Sequence, residues 1–142
     1  MPGVELSTDM PDDKVQAMWL DARCAVIALT HYPKLNDLAL IEALRSTTFY
    51  VGAIGSRLNN QRRHDRLAEH FDLTKAELDK LHGPISLYIG SKTPPEIAIS
   101  ILAELTAVKN AVTLPKAADV VGGKMLAGLA AMGEVCTLPP AA

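Results

Sequence analysis

Three short stretches carry groups suited to holding a charged ligand: His31-Tyr32-Pro33-Lys34, Gly52-Ala53-Ile54-Gly55-Ser56-Arg57 and Gly90-Ser91-Lys92-Thr93. In two of them glycine stands where an apolar run gives way to a polar one, and cationic side chains lie close by. Free backbone N–H groups at a helix start, the positive end of the helix dipole and a nearby arginine or lysine together make an anion site. Gly52 and Gly55 would let the backbone approach such a ligand, and Arg57 can fork onto a phosphate. The next residues, NNQRRHDR at 59–66, are polar for more than two helical turns. They bury little and must face solvent, a ligand or a partner, and a solvated helix face accounts for them as well as a site does. Thr30, His31, Gly52, Gly55, Ser56, Arg57, Arg62, Gly90 and Thr93 are therefore the candidate binding residues.

Other chemistry finds little support. There is no Ser-His-Asp order, no pair of catalytic carboxylates and no phosphate-loop lysine, so the chain is not expected to be an enzyme on its own. GxxGS is not the GxGxxG dinucleotide fingerprint. His31, His64, His70 and His82 form no HxxxH or HExxH spacing, which argues against a metal site. His31 can also be explained as a loop cap, and Thr93 with Glu96 as a capping pair. Cys24 opens a buried run and reads as a small core residue, whereas Cys136 has no base or cation beside it.

The elements that must position these loops are legible in the hydrophobic pattern. CAVIALT at 24–30 and TFYVGAI at 48–54 are continuous apolar runs of strand length, as expected for strands buried on both faces of a parallel sheet. ISLYIG at 85–90 is expected as the third strand, after a break at Gly83-Pro84. Asp12 or Asp13 is expected to cap a first helix through Val15, Ala17, Met18 and Trp19. Asn36 should cap a second, with the stripe Leu38, Ile41, Ala43 and Leu44, ending near Arg45-Ser46. Ser56 begins an arginine-rich helix whose apolar face, Leu67, Ala68 and Phe71, comes only in its last turns. Thr74 and Glu77 form a capping box for a short helix ending near Leu81. Thr93-Pro94-Pro95-Glu96 starts a long helix with apolar residues at 97, 98, 101, 102, 105 and 108, a stripe wide enough to cover a sheet face.

Strand, loop and helix repeated three times predict an α/β fold with a small, mainly parallel sheet and right-handed crossovers. So small a sheet leaves two edges, to be covered by the VELS segment at 4–7 or by a second subunit. The 142 residues, 49% hydrophobic and 21% charged, suffice for one domain with a core. Its expected extent is 1–112, followed by an Ala/Gly-rich tail or docking helix over 113–142. A net charge of -2 and few aromatic residues give no platform for nucleic acid. Two widely spaced cysteines, no signal peptide and no apolar run long enough for a bilayer fit a cytoplasmic protein.

THYPKLND at 30–37, FYVGAIGSR at 49–57 and LHGPISLYIGSKTPPEIAISILAEL at 81–105 resemble the C-terminal Rossmann-like domain of the XdhC/CoxI family, in matching order over about residues 20–110. Members of that family are accessory proteins for xanthine dehydrogenase and related molybdenum hydroxylases. They bind molybdenum cofactor, protect it while its terminal sulfur is installed, and hand it to the apo-enzyme. The resemblance implies a three-layer Rossmann-like fold, a phosphate-bearing pterin (molybdopterin) as ligand, a molybdenum hydroxylase client and a cofactor-sulfurating partner. It also implies that Met1 falls inside the domain, so that the first strands, their glycine-rich turn and the family's N-terminal cysteine-bearing domain are missing from this chain. Ser86 and Tyr88 stand where the family usually has glycine and an acidic residue, and Leu58-Asn59 where it has a more basic pair. A homodimer that pairs a sheet edge or the tail is the expected assembly. The alternatives are an NAD(P)-binding oxidoreductase fragment, since the fold invites one, and an interaction module that holds no ligand.

Overall fold

The computed structural model describes residues 3–114 and 127–129. The chain forms two compact units, Met1–Pro84 and Ile85–Ala142. The tail expected over 113–142 lies outside the described residues except at 113–114 and 127–129.

The first unit holds a sheet of three parallel strands, β1 (Ala25–Ala28), β2 (Tyr50–Ala53) and β3 (Leu81–His82), in the order β1-β2-β3. Helices α1 (Pro11–Ala17), α2 (Pro33–Arg45), α3 (Arg57–His70) and α4 (Lys75–Leu78) complete it. Val51 pairs with both Val26 and Leu81, and Gly52 with both Ile27 and His82. The fold is the expected Rossmann-like α/β arrangement. β2 is buried throughout because it has a neighbour on either side. β1 departs from the expectation of a strand covered on both faces. Only Ala28 is buried, since β1 is the edge of this sheet.

The third strand is displaced from its expected place. ISLYIG is no strand among the described residues, only a single bridge residue at Leu87, and the third strand is Leu81–His82, just before the cis Gly83-Pro84 bond. Residues 4–7 form no strand. α2 begins at Pro33 with Tyr32 as its cap, so Asn36 lies inside the helix and is buried; the expected end at Arg45 holds. Its residues Leu40, Ile41, Ala43 and Leu44 pack with Val51, Ala53, Leu67 and Leu78 into the core. α1 is capped at Met10 with no side-chain bond, buries no residue, and leaves Trp19 exposed with φ of 48°.

The second unit is built on α5 (Pro94–Lys109). Its start is as expected: the Glu96 carboxylate accepts from the backbone N–H groups of Lys92 and Thr93 at 2.8 and 2.9 Å. The wide buried stripe is not found among the described residues. Only Ser100 and Ile101 of α5 are buried, while Ile99 and Leu102 are exposed. No helix among the described residues is long and apolar enough to cross a membrane.

Candidate functional site

A cleft of about 450 Å³ opens at the carboxyl ends of β1 and β2, the place where open α/β sheets hold ligands. The loop after β1 contributes Thr30 and His31 to its wall, and the turn after β2 contributes Ile54 and Gly55. α3 supplies Asn59 and three arginines, Arg62, Arg63 and Arg66.

Each wall has a local cause. Thr30 Oγ1 donates to Asn36 Oδ1 at 2.8 Å, and Asn36 Nδ2 donates back to the Thr30 carbonyl at 2.7 Å. This reciprocal pair ties the first loop to the first turns of α2. His31 stacks on Tyr32 with ring centroids 4.8 Å apart. Gly55 has φ of +141°, where side chains are strained, and an added Cβ would lie 3.3 Å from Asn60 Nδ2. Ser56 caps α3 as expected, its Oγ accepting from the Asn59 N–H at 3.1 Å. That leaves the N–H groups of Arg57 and Leu58 in the first turn without intrahelical acceptors.

The arginines are held in different ways. Arg63 is turned inward with its side chain only 7% exposed. It donates through Nη1 to Asn60 Oδ1 and through Nη2 to the Ile54 carbonyl at 3.4 Å. Its Nε is buried without a hydrogen-bond partner and lies 3.8 Å from Asp37 Oδ1. Burial pulls the basicity of Arg63 down, Asp37 raises it and Arg66 lowers it again. Arg66 donates to the buried Asp37 carboxylate through Nε at 2.9 Å and Nη2 at 3.3 Å. Arg62 is exposed at the cleft wall and makes no hydrogen bond or ion pair with the described residues.

Of the residues expected from the sequence, Thr30, His31, Gly55 and Arg62 meet in this cleft, and Ser56 caps the helix that lines it. Gly52 lies in mid-strand, hydrogen-bonded into the sheet between Ile27 and His82. Arg57 is exposed at the start of α3 and does not line the cleft. Gly90, with φ of 76°, and Thr93, the cap of α5, belong to the second unit. Asn36, Asp37, Asn60, Arg63 and Arg66 were not anticipated as site residues. The signal for two of them was present: counting back from Leu67 by helical steps gives 63 and 60, the other buried positions of α3. The polar run is therefore not wholly solvated.

Residues 3–105 match the XdhC Rossmann domain. The chain is 36% identical over 72 residues to the uncharacterized protein YqeB of Escherichia coli (strain K12), a match covering 51% of this chain and 13% of YqeB. A crystal structure of a xanthine dehydrogenase from Bacillus halodurans superimposes with a TM-score of 0.58 and 25% identity, over 80% of this chain and 31% of that one. The chain thus spans well under half the length of either relative.

Proposed function

The chain belongs to the XdhC family, and on that premise we propose that it is a non-catalytic accessory protein that binds molybdenum cofactor for a xanthine dehydrogenase-like molybdenum hydroxylase. The observation that carries the reading is the cleft at the ends of β1 and β2, with three arginines of one helix on its wall. The phosphate of the pterin is the group these guanidinium groups suit, because a planar fork matches two phosphate oxygens. Thr30 and Asn36 fix the loop opposite, and Asp37 keeps Arg66 directed along the wall. A cofactor-sulfurating enzyme and the client hydroxylase are the partners this role requires.

The test is co-purification from cells competent for molybdenum-cofactor synthesis. The released material is assayed for oxidised pterin fluorescence and molybdenum. We expect pterin in proportion to protein, falling by about tenfold or more in Arg62→Ala, in line with the loss of a charge-assisted bond. A folded chain that brings down no pterin would overturn the proposal.

A further inference from the structure

The charge of the cleft specifies more than an anion. Three guanidinium groups face it and one carboxylate, Asp37, lies against two of them, which leaves a surplus of two positive charges. All three cations come from a stretch of five residues of one helix. Their donors are unequally committed. Arg66 spends Nε and Nη2 on Asp37, and Arg63 spends both terminal nitrogens on Asn60 and Ile54. The buried Arg63 Nε and the whole fork of Arg62 remain without hydrogen-bond partners among the described residues. The Arg63 Nε faces Asp37 Oδ1 at 3.8 Å, so the fork of Arg62 is the one directly open to a ligand at the cleft wall.

Resting on the anion-binding reading above, we propose that this cleft selects the doubly charged phosphate of a monoester over the singly charged phosphate of a diester. A monoester phosphate carries close to two negative charges and three strong acceptor oxygens near neutral pH, which matches the surplus charge and offers acceptors to the open fork of Arg62. A diester carries one charge and has two free oxygens. It would leave one positive charge of a partly dry site uncompensated. Arg62 is the residue that closes on the ligand, and Arg63 and Arg66, positioned by Asn60 and Asp37, supply the standing potential.

The full chain is titrated calorimetrically with methyl phosphate and with dimethyl phosphate at about pH 8, where the first is a dianion and the second a monoanion. We expect methyl phosphate to bind at least about tenfold more tightly, and Arg62→Gln to weaken it by about tenfold while affecting dimethyl phosphate less. Arg23→Gln removes a cation held by Asp21 away from the cleft and should change neither titration. Equal affinity for the two esters, no saturable binding of methyl phosphate to the folded chain, or an unchanged affinity in Arg62→Gln would each overturn the inference. Co-purified pterin without the monoester preference would overturn this inference alone. A monoester preference without pterin would overturn the cofactor reading alone.

Discussion

Arg63 shows how a single residue reverses the reading of its segment. Within NNQRRHDR it is one charge among many, yet its side chain is buried, with Asn60, Ile54 and Asp37 around it. Such burial is tolerated where hydrogen bonds and a counter-charge replace water. Gly83 adds to the same arrangement just past the end of β3, since a Cβ there would clash with the Asn60 side-chain amide. The opposite case is Ser86, held at φ of 114° with its N–H donating to Glu104 Oε2 at 2.6 Å. That backbone region suits glycine, and a side chain there costs on the order of 1–3 kcal/mol. Ser86→Gly keeps the N–H bond and removes the Cβ. It should raise the stability of the chain by about 1 kcal/mol, less than the full strain because glycine is freer when unfolded. A urea midpoint that stayed the same or fell in Ser86→Gly would show that the strain is relieved in some other way.

At the scale of elements, two helices are started by carboxylates that reach back over their own first turn. Glu77 accepts from the Thr74 N–H at 2.7 Å, and Glu96 from those of Lys92 and Thr93. These backbone bonds are the main reason both carboxyls are held below their ordinary value of 4.5. A group depressed in the folded state adds stability above its unfolded value and loses it as pH falls through the folded value. The caps of α4 and α5 therefore act fully above about pH 4.5 and fail in acid below it. Glu77→Gln and Glu96→Gln should flatten the acid side of the stability profile and leave its slope near neutrality unchanged; profiles parallel to that of the parent chain would refute the assignment. Both caps were legible in the sequence because a capping box is a local pattern within four residues. So were β2 and the start of α3 at Ser56, where pattern and surroundings agree. ISLYIG was misplaced because a short apolar run says nothing about which pair of residues finds the edge of β2, a choice made by tertiary packing. The stripe of α5 was legible, but its burial was not, since periodicity names a face without naming what covers it. Asn36 and Asp37 escaped for a similar reason: a polar residue in a first turn reads as a cap until Pro33 is seen to start the helix one turn earlier.

At the scale of the whole molecule, the sheet among the described residues ends on β1, which has a hydrogen-bonded neighbour there on one side only. The Ala28 carbonyl accepts from the Ile54 N–H at 3.0 Å, so Ala28 is turned toward β2, and alternation along the strand turns the N–H and C=O of Ile27 to the open edge. An edge of this kind, made of Ala25, Val26, Ile27 and Ala28 with no charge or proline, lacks the features that keep edges apart. Two copies related by a two-fold axis normal to the sheet would pair their β1 strands antiparallel, giving the open groups of Ile27 partners without disturbing β2. We therefore expect light scattering at micromolar concentration to give about twice the 15.2 kDa of one chain. Ile27→Pro removes the outward donor and leaves the β1–β2 bonds of Ala28 in place, so it should shift the mass toward the monomer. A parent chain that is monomeric under the same conditions would show that the edge is left open or is covered by a different protein. The cleft lies within one first unit, at the carboxyl ends of β1 and β2, so loss of the dimer in Ile27→Pro should leave methyl phosphate binding within about twofold of the parent, a change of about 0.4 kcal/mol. Binding that disappeared with the dimer would instead place part of the site on the second copy.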